Sequence, residues 1–140
     1  MWGLAELRRI GRIRHIGLSN VTLDQLRRAQ AIAPIASVQN RYNILDRHSD
    51  DIVAACERDG IAFMPWDPIS SGALARPGGT LDQVAAVHGA TPGQIALAWL
   101  LHRSPVMLPI PGTSRMDHLE ENMAAARIRL TAQDLATLGR

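Results

Sequence analysis

The chain has 140 residues, 46% of them apolar and 20% charged, with a net charge of +2. That balance excludes a disordered polymer and fits one globular domain able to bury a core. The longest apolar run, residues 95–101, is far shorter than the roughly 20 residues of a membrane-spanning helix. The single cysteine, Cys56, excludes an internal disulfide and a Cys-rich zinc site. Every basic residue other than histidine is arginine, so the chain has neither the lysine of a P-loop nor a Schiff-base nucleophile. A net charge this small does not argue for nucleic acid. The N-terminal MWGLAELRRIGRIRH carries charge where a secretory signal would be apolar, which reads as cytoplasmic.

Residues 13–18 (IRHIGL) are apolar and rich in β-branched side chains, and predict a strand leading into Ser19 and Asn20. Thr22 with Gln25 forms the pattern of a capping box, opening a helix that presents Leu23, Leu26 and Ala29 and is stopped before Pro34. A second strand is expected at 36–40. After the turn-like RYNILDRHSD comes a helix that buries Ile52, Val53 and Cys56 and ends at Gly60. A third strand is expected at 61–66, followed by the Pro/Ser/Gly stretch PISSGALARPGG. Residues 80–88 and 91–103 predict a helix pair, the second with Thr91 at N-cap, Pro92 in the first turn and Gln94 at N3. A fourth strand is expected at 106–110, then a helix whose Met116, Leu119 and Met123 share one face, and a last short helix from about Thr131.

Strands alternating with helices through short connections imply a parallel sheet covered by helices. Chemistry in such folds gathers at the C-terminal ends of the strands. The polar residues at those ends are Ser19 and Asn20, Gln39 and Asn40, Trp66 and Asp67, and Gly112 to Arg115.

Each group has a plain structural alternative. Ser19, Asn20 and Gln39 can donate and accept toward a planar amide, or can satisfy loop backbone. GLSNV resembles a nucleophile elbow, but Val21 stands where the tight turn needs glycine, which disfavours a hydrolase. Residues 80–103 have the outline of a helix-turn-helix. Their second helix, however, carries IALAWLL around most of its circumference and reads as buried rather than as a base-reading helix. Gly112, Thr113, Ser114 and Arg115 precede a helix N-terminus, which suits an anion, or else Ser114 and Asp117 simply cap that helix. Trp66 is either core or a stacking platform. The histidines lack metal-ligand spacing, and His88 and His102 read as helix C-terminal residues.

Taken together, GRIRHIGLSN (11–20), SVQNRYN (37–43), MPWDPISSG (64–72) and LPIPGTSRMDHLEEN (108–122) resemble the C-terminal half of an aldo-keto reductase. The resemblance covers nearly the whole chain. It implies one partial α/β domain over residues 1–140, with about four βα units forming half of a (β/α)8 TIM barrel with a parallel sheet. It also implies NADPH-dependent reduction of aldehydes and ketones, with this chain supplying the cofactor-binding half. Ser19, Asn20 and Gln39 would hold the nicotinamide carboxamide, and Trp66 would stand where the family usually stacks a tyrosine. Pro68, Ile69, Ser70 and Gly72 would line the pyrophosphate. Thr113, Ser114 and Arg115 would meet the 2′-phosphate, and Glu121 and Asn122 the adenine.

Gly112 replaces a common lysine and His118 a common arginine, so a preference for NADPH over NADH rests mainly on Arg115. The family's catalytic Asp, Tyr, Lys and His come from the first half of the barrel and cannot be assembled here. No catalytic residue and no metal ligand is therefore assigned to this chain.

The chain is expected to be inactive alone and to pair with a missing first half, to form a homodimer, or to be poorly soluble. Its partner would be a small carbonyl substrate once the barrel is completed, and neither nucleic acid nor membrane. A non-catalytic nucleotide-binding or regulatory module, or a gene fragment, is the alternative, and DNA binding is a disfavoured third.

Overall fold

The computed structural model describes residues 1–70, 74 and 79–139. Helix α1 (Trp2–Arg9) leads to β1 (Gly17–Ser19), α2 (Leu23–Gln30), β2 (Ser37–Gln39), α3 (Asp50–Asp59) and β3 (Ala62–Phe63). Helices α4 (Thr80–His88), α5 (Pro92–Arg103), α6 (Met116–Ala124) and α7 (Ala132–Thr137) follow, with a 3₁₀ turn at Ala125–Arg127. The strands pair in parallel in the order β1, β2, β3, with Leu18 opposite Val38 and Val38 opposite Phe63. The α/β class with a parallel sheet is thus as expected.

Local chemistry fixes several helix ends. Thr22 and Thr91 each accept from the backbone N–H three residues on, while Gln25 and Gln94 reach back to complete two capping boxes. Gly60 ends α3 in the left-handed conformation at φ +67°, where a Cβ would be strained.

The strands are shorter than the sequence suggests. The register of β1 begins at Gly17, and before it only the Ile16 carbonyl reaches the neighbouring segment, accepting from Ala36 N–H at 2.8 Å. Beyond Phe63, Trp66 touches the sheet through an isolated parallel bridge with Arg41. The expected strand at 106–110 contracts to one bridge, Phe63 with Met107, where Phe63 N–H donates to Val106 O and Leu108 N–H to Phe63 O, both at 2.8 Å. Apolar composition sets the alternation of these segments, but how far two strands run together depends on their twist and on what flanks them.

One face of the sheet packs on the helices. Val38, Phe63 and Met107 are buried there with Leu26, Val53, Cys56, Ile95 and Leu100. Tyr42 joins this core, stacked on Trp99 at 6.0 Å and edge-on to Phe63 at 5.8 Å. The opposite face is open: Ser37, Gln39 and Ala62 are half-buried, Ser19 is exposed, and Leu108 is 53% exposed. Parallel sheets are ordinarily covered on both faces, so this uncovered side is the most unusual feature of the fold.

Helix α5 is buried from Ile95 to Leu100, as its apolar circumference requires. Helix α6 departs from expectation. Its Met116, Leu119 and Met123 face solvent, Met116 at 70% exposure, while Asn122 and Ala124 lie on its half-buried side toward α5. No single helix among the described residues is long and apolar enough to cross a membrane.

Candidate functional site

The C-terminal ends of the three strands bring four of the singled-out residues together. Ser19 and Gln39 are register partners, and the Asn20 N–H donates to Gln39 O at 2.9 Å. Asn20 sits in the left-handed region at φ +53°, which asparagine tolerates better than most side chains. Its Oδ1 accepts from Trp66 Nε1 at 2.8 Å, and its Nδ2 lies 3.3 Å from Ser19 Oγ. Trp66 is half-buried, so the ring is held at its edge and remains accessible at the rim.

Just beyond Trp66 the chain enters a cavity of about 600 Å³. Its walls are Asp67, Pro68 and Ile69 on one side, the start of α5 at Thr91, Gly93 and Gln94, and Gly112, Thr113, His118, Glu121 and Asn122 across from them. Gln94 Nε2 donates to Glu121 O at 2.9 Å and ties the α5 wall to α6. The volume falls within the range of about 300–1,000 Å³ usual for small-molecule sites. A Cβ on Gly112 would meet nothing within 4 Å, so the wall there is open.

Ser114 and Arg115 precede α6 but do not line this cavity. Arg115 is the N-cap of α6, with no side-chain cap bond, so the expected cap by Ser114 does not form. The Arg115 guanidinium instead forks onto Asp117, with Nε 3.0 Å from Oδ1 and Nη2 in contact with Oδ2. This pairing pulls the Asp117 carboxyl down to about 2. Ser70 lies in the loop after β3 at φ +49°, and Gly72 lies outside the described residues.

Two further residues prove central to the rim: Arg41, which pattern did not single out, and Asn40, which stands with Gln39 at the end of β2. Arg41, two positions after Gln39, contacts Asp67 Oδ2 through Nε at 3.2 Å and Nη2 at 2.9 Å, and its guanidinium carbon lies 5.7 Å from the centre of the Trp66 ring. Asn40 is buried and clamps Val21 from both sides, accepting from its N–H at 3.1 Å and donating to its carbonyl at 2.8 Å. For Arg41, its place two residues after a strand-end glutamine was the available signal.

The single tyrosine is not at the rim. Tyr42 is buried, and its phenol donates to Asp50 Oδ1 at 2.6 Å, where Arg103 Nη2 also binds at 2.8 Å. Burial and the Asp50 carboxylate push its pKa up to about 12. His88 is the last residue of α4, as expected, and its Nε2 meets Asp134 Oδ2 at 2.9 Å, joining α4 to α7. Cys56 is a buried core thiol, raised to about 11 by desolvation. Among the described residues no group of His, Cys, Asp and Glu is arranged to hold a metal.

A sequence model of the Aldo/keto reductase family matches residues 1–140. The chain is 50% identical over 135 residues to an uncharacterized oxidoreductase of Schizosaccharomyces pombe, covering 96% of this chain and 44% of that protein. It is 51% identical over 135 residues to the pyridoxine 4-dehydrogenase of Escherichia coli, covering 96% of this chain and 47% of that one. Among solved structures it superposes on a thermostable aldo-keto reductase bound to the inhibitor epalrestat with a TM-score of 0.88 at 35% identity, covering 96% of this chain and 51% of that one. A Klebsiella pneumoniae aldo/keto reductase in complex with NADP and acetate gives 0.85 at 27% identity, covering 95% of this chain and 50% of that one. The chain therefore spans about half the length of the relatives it matches.

Proposed function

This chain belongs to the aldo/keto reductase family, and from that premise we propose that it holds NADPH along the C-terminal rim of its sheet, as the dinucleotide-binding half of a reductase of aldehydes and ketones. The observation that carries this reading is the convergence of Ser19, Asn20, Gln39 and Trp66 on adjacent strand ends, directly beside the cavity walled by Asp67 to Ile69 and by Gly112 and Thr113. When bound, the cofactor supplies a hydride from nicotinamide C4 to the carbonyl carbon.

The chain's own residues would bind and orient. Ser19 Oγ, Asn20 Nδ2 and the Gln39 amide offer donors and an acceptor to the nicotinamide carboxamide. Trp66 offers its ring face as the platform, and its bond to Asn20 keeps that face from turning. Pro68, Ile69, Ser70 and Gly72 would line the pyrophosphate, with His118, Glu121 and Asn122 nearer the adenine. Thr113, Ser114 and Arg115 would meet the 2′-phosphate.

Arg115 must exchange Asp117 for that phosphate. Both side chains are exposed, so water eases the exchange, and the dianionic phosphate is the better partner for a guanidinium fork. NADH, lacking this group, would bind more weakly.

These 140 residues include no lysine, and Tyr42 is sealed in the core against Asp50 with its proton held tightly. Neither a lysine nor the tyrosine is therefore available at the rim to protonate a carbonyl oxygen. A specific observation, the burial of Tyr42, thus also favours the reading of a nucleotide-binding module that is not catalytic alone. Completion by a first half of the barrel or by a second copy would supply the open face of the sheet with a cover.

Titration calorimetry of the chain with NADPH and NADH tests the binding, and an assay with pyridoxal, suggested by the Escherichia coli relative, tests turnover. Expected are saturable binding, tighter for NADPH, and no turnover by the chain alone. A folded chain that binds neither nucleotide would overturn the proposal.

A further inference from the structure

Arg115 stands beside the cavity without entering it. Its neighbours Thr113, His118, Glu121 and Asn122 line that space, and the guanidinium does not. The backbone is pinned at the wall: Arg115 N–H donates to Thr113 Oγ1 at 3.1 Å, and Arg115 O accepts from Leu119 N–H at 3.1 Å. Only the side chain is left to move, and it is forked onto Asp117, with Nε 3.0 Å from Oδ1 and Nη2 against Oδ2.

Asp117 is the fixed member of this pair. It lies in the first turn of α6, where a carboxylate suits the positive end of a helix, and its Oδ1 also accepts from His118 N–H at 3.0 Å. Glu121, one turn farther on, presents a second negative charge to the guanidinium. The Arg115 side chain is 64% exposed and that of Asp117 56%, so water reaches both and the fork can open.

We infer that Asp117 sets how strongly this chain prefers NADPH to NADH, by competing with the 2′-phosphate for the Arg115 fork. The inference rests on the dinucleotide reading above and adds a specificity residue to it. A nucleotide that carries the phosphate must displace the carboxylate and then lies near it as a like charge. One that lacks the phosphate leaves the pair intact. The cost therefore falls on NADPH alone, and Asp117 narrows the preference that Arg115 creates. An exposed ion pair is worth up to about fivefold in an equilibrium constant, which bounds the effect.

The experiment titrates NADPH and NADH into the 140-residue chain as wild type, Asp117→Asn, Asp117→Ser, Glu120→Gln and Arg115→Gln, with circular dichroism to confirm folding. Asp117→Asn should bind NADPH about threefold to fivefold more tightly than wild type and leave NADH nearly unchanged, so the ratio of the two affinities rises. Asp117→Ser keeps a side-chain acceptor in the first turn and should behave alike, and it decides the matter if Asp117→Asn does not fold. Glu120→Gln removes an exposed charge of the same helix outside the cavity and should leave the ratio as it is, which separates competition from a general change of charge. Arg115→Gln should abolish the preference for NADPH. An unchanged or lowered ratio in the Asp117 variants, an equal rise in Glu120→Gln, or a preference that survives Arg115→Gln would overturn the inference and leave the dinucleotide reading standing. A folded wild type that binds neither nucleotide overturns both.

Discussion

The indole N–H of Trp66 donates to Asn20 Oδ1 across 2.8 Å and joins residues 46 positions apart. That bond makes the turn after β1 and the end of β3 one unit. It fixes the tilt of a ring at the rim, and it uses the acceptor of a side chain whose backbone already lies in the left-handed region. Removing either partner therefore has two separable consequences.

Trp66→Phe removes the donor and keeps a ring face, and should cost about 0.5–1.5 kcal/mol, the usual net worth of one hydrogen bond. Asn20→Gly and Asn20→Ala both lose the acceptor, but only alanine pays for φ +53°, so Asn20→Ala should be the less stable by about 1 kcal/mol. Urea denaturation of the three variants measures this. Equal stability of the alanine and glycine variants would show that the left-handed turn stores no strain.

Gly17 is a close-approach glycine. A Cβ there would stand 2.5 Å from Ser37 Oγ on the neighbouring strand, well inside contact. Gly17→Ala should destabilise by about 1–3 kcal/mol as Ser37 is driven from its rotamer. Adding Ser37→Ala removes the obstructing oxygen and should recover most of the loss. Thermal melts of the single and double variants suffice, and a double variant no better than Gly17→Ala would place the cost in the backbone instead.

Asp134 links acid stability to the docking of α7. Its carboxylate accepts from the Thr131 backbone at 2.7 Å and faces His88, and these contacts bring it from 3.8 down to about 2. The unfolded chain thus holds this proton more tightly than the folded one. The stabilisation is complete above about pH 4 and is lost as pH falls toward 2. Asp134→Asn should flatten that part of the stability curve and leave its shape above pH 4 little changed. An identical acid slope in wild type and variant, followed by circular dichroism from pH 6 to pH 2, would remove Asp134 from the account.

The sequence by itself determined the order of elements and the ends of several helices. The Thr22–Gln25 and Thr91–Gln94 boxes and the left-handed Gly60 involve groups within a few residues of one another, and local backbone geometry is enough to specify them. The convergence of Ser19, Asn20, Gln39 and Trp66 was legible too, because parallel strands joined by helices must present their C-terminal ends on one rim.

Tertiary structure decided what depends on neighbours distant in sequence. It shortened the fourth strand to a bridge at Met107 and turned Met116, Leu119 and Met123 to solvent, since periodicity names a face but not what packs against it. It paired Arg41 with Asp67 across 26 positions and drew Tyr42 into the core against Asp50. Such pairings are set by the meeting of loop ends in space, and the strength of a charge pair falls off within a few ångströms.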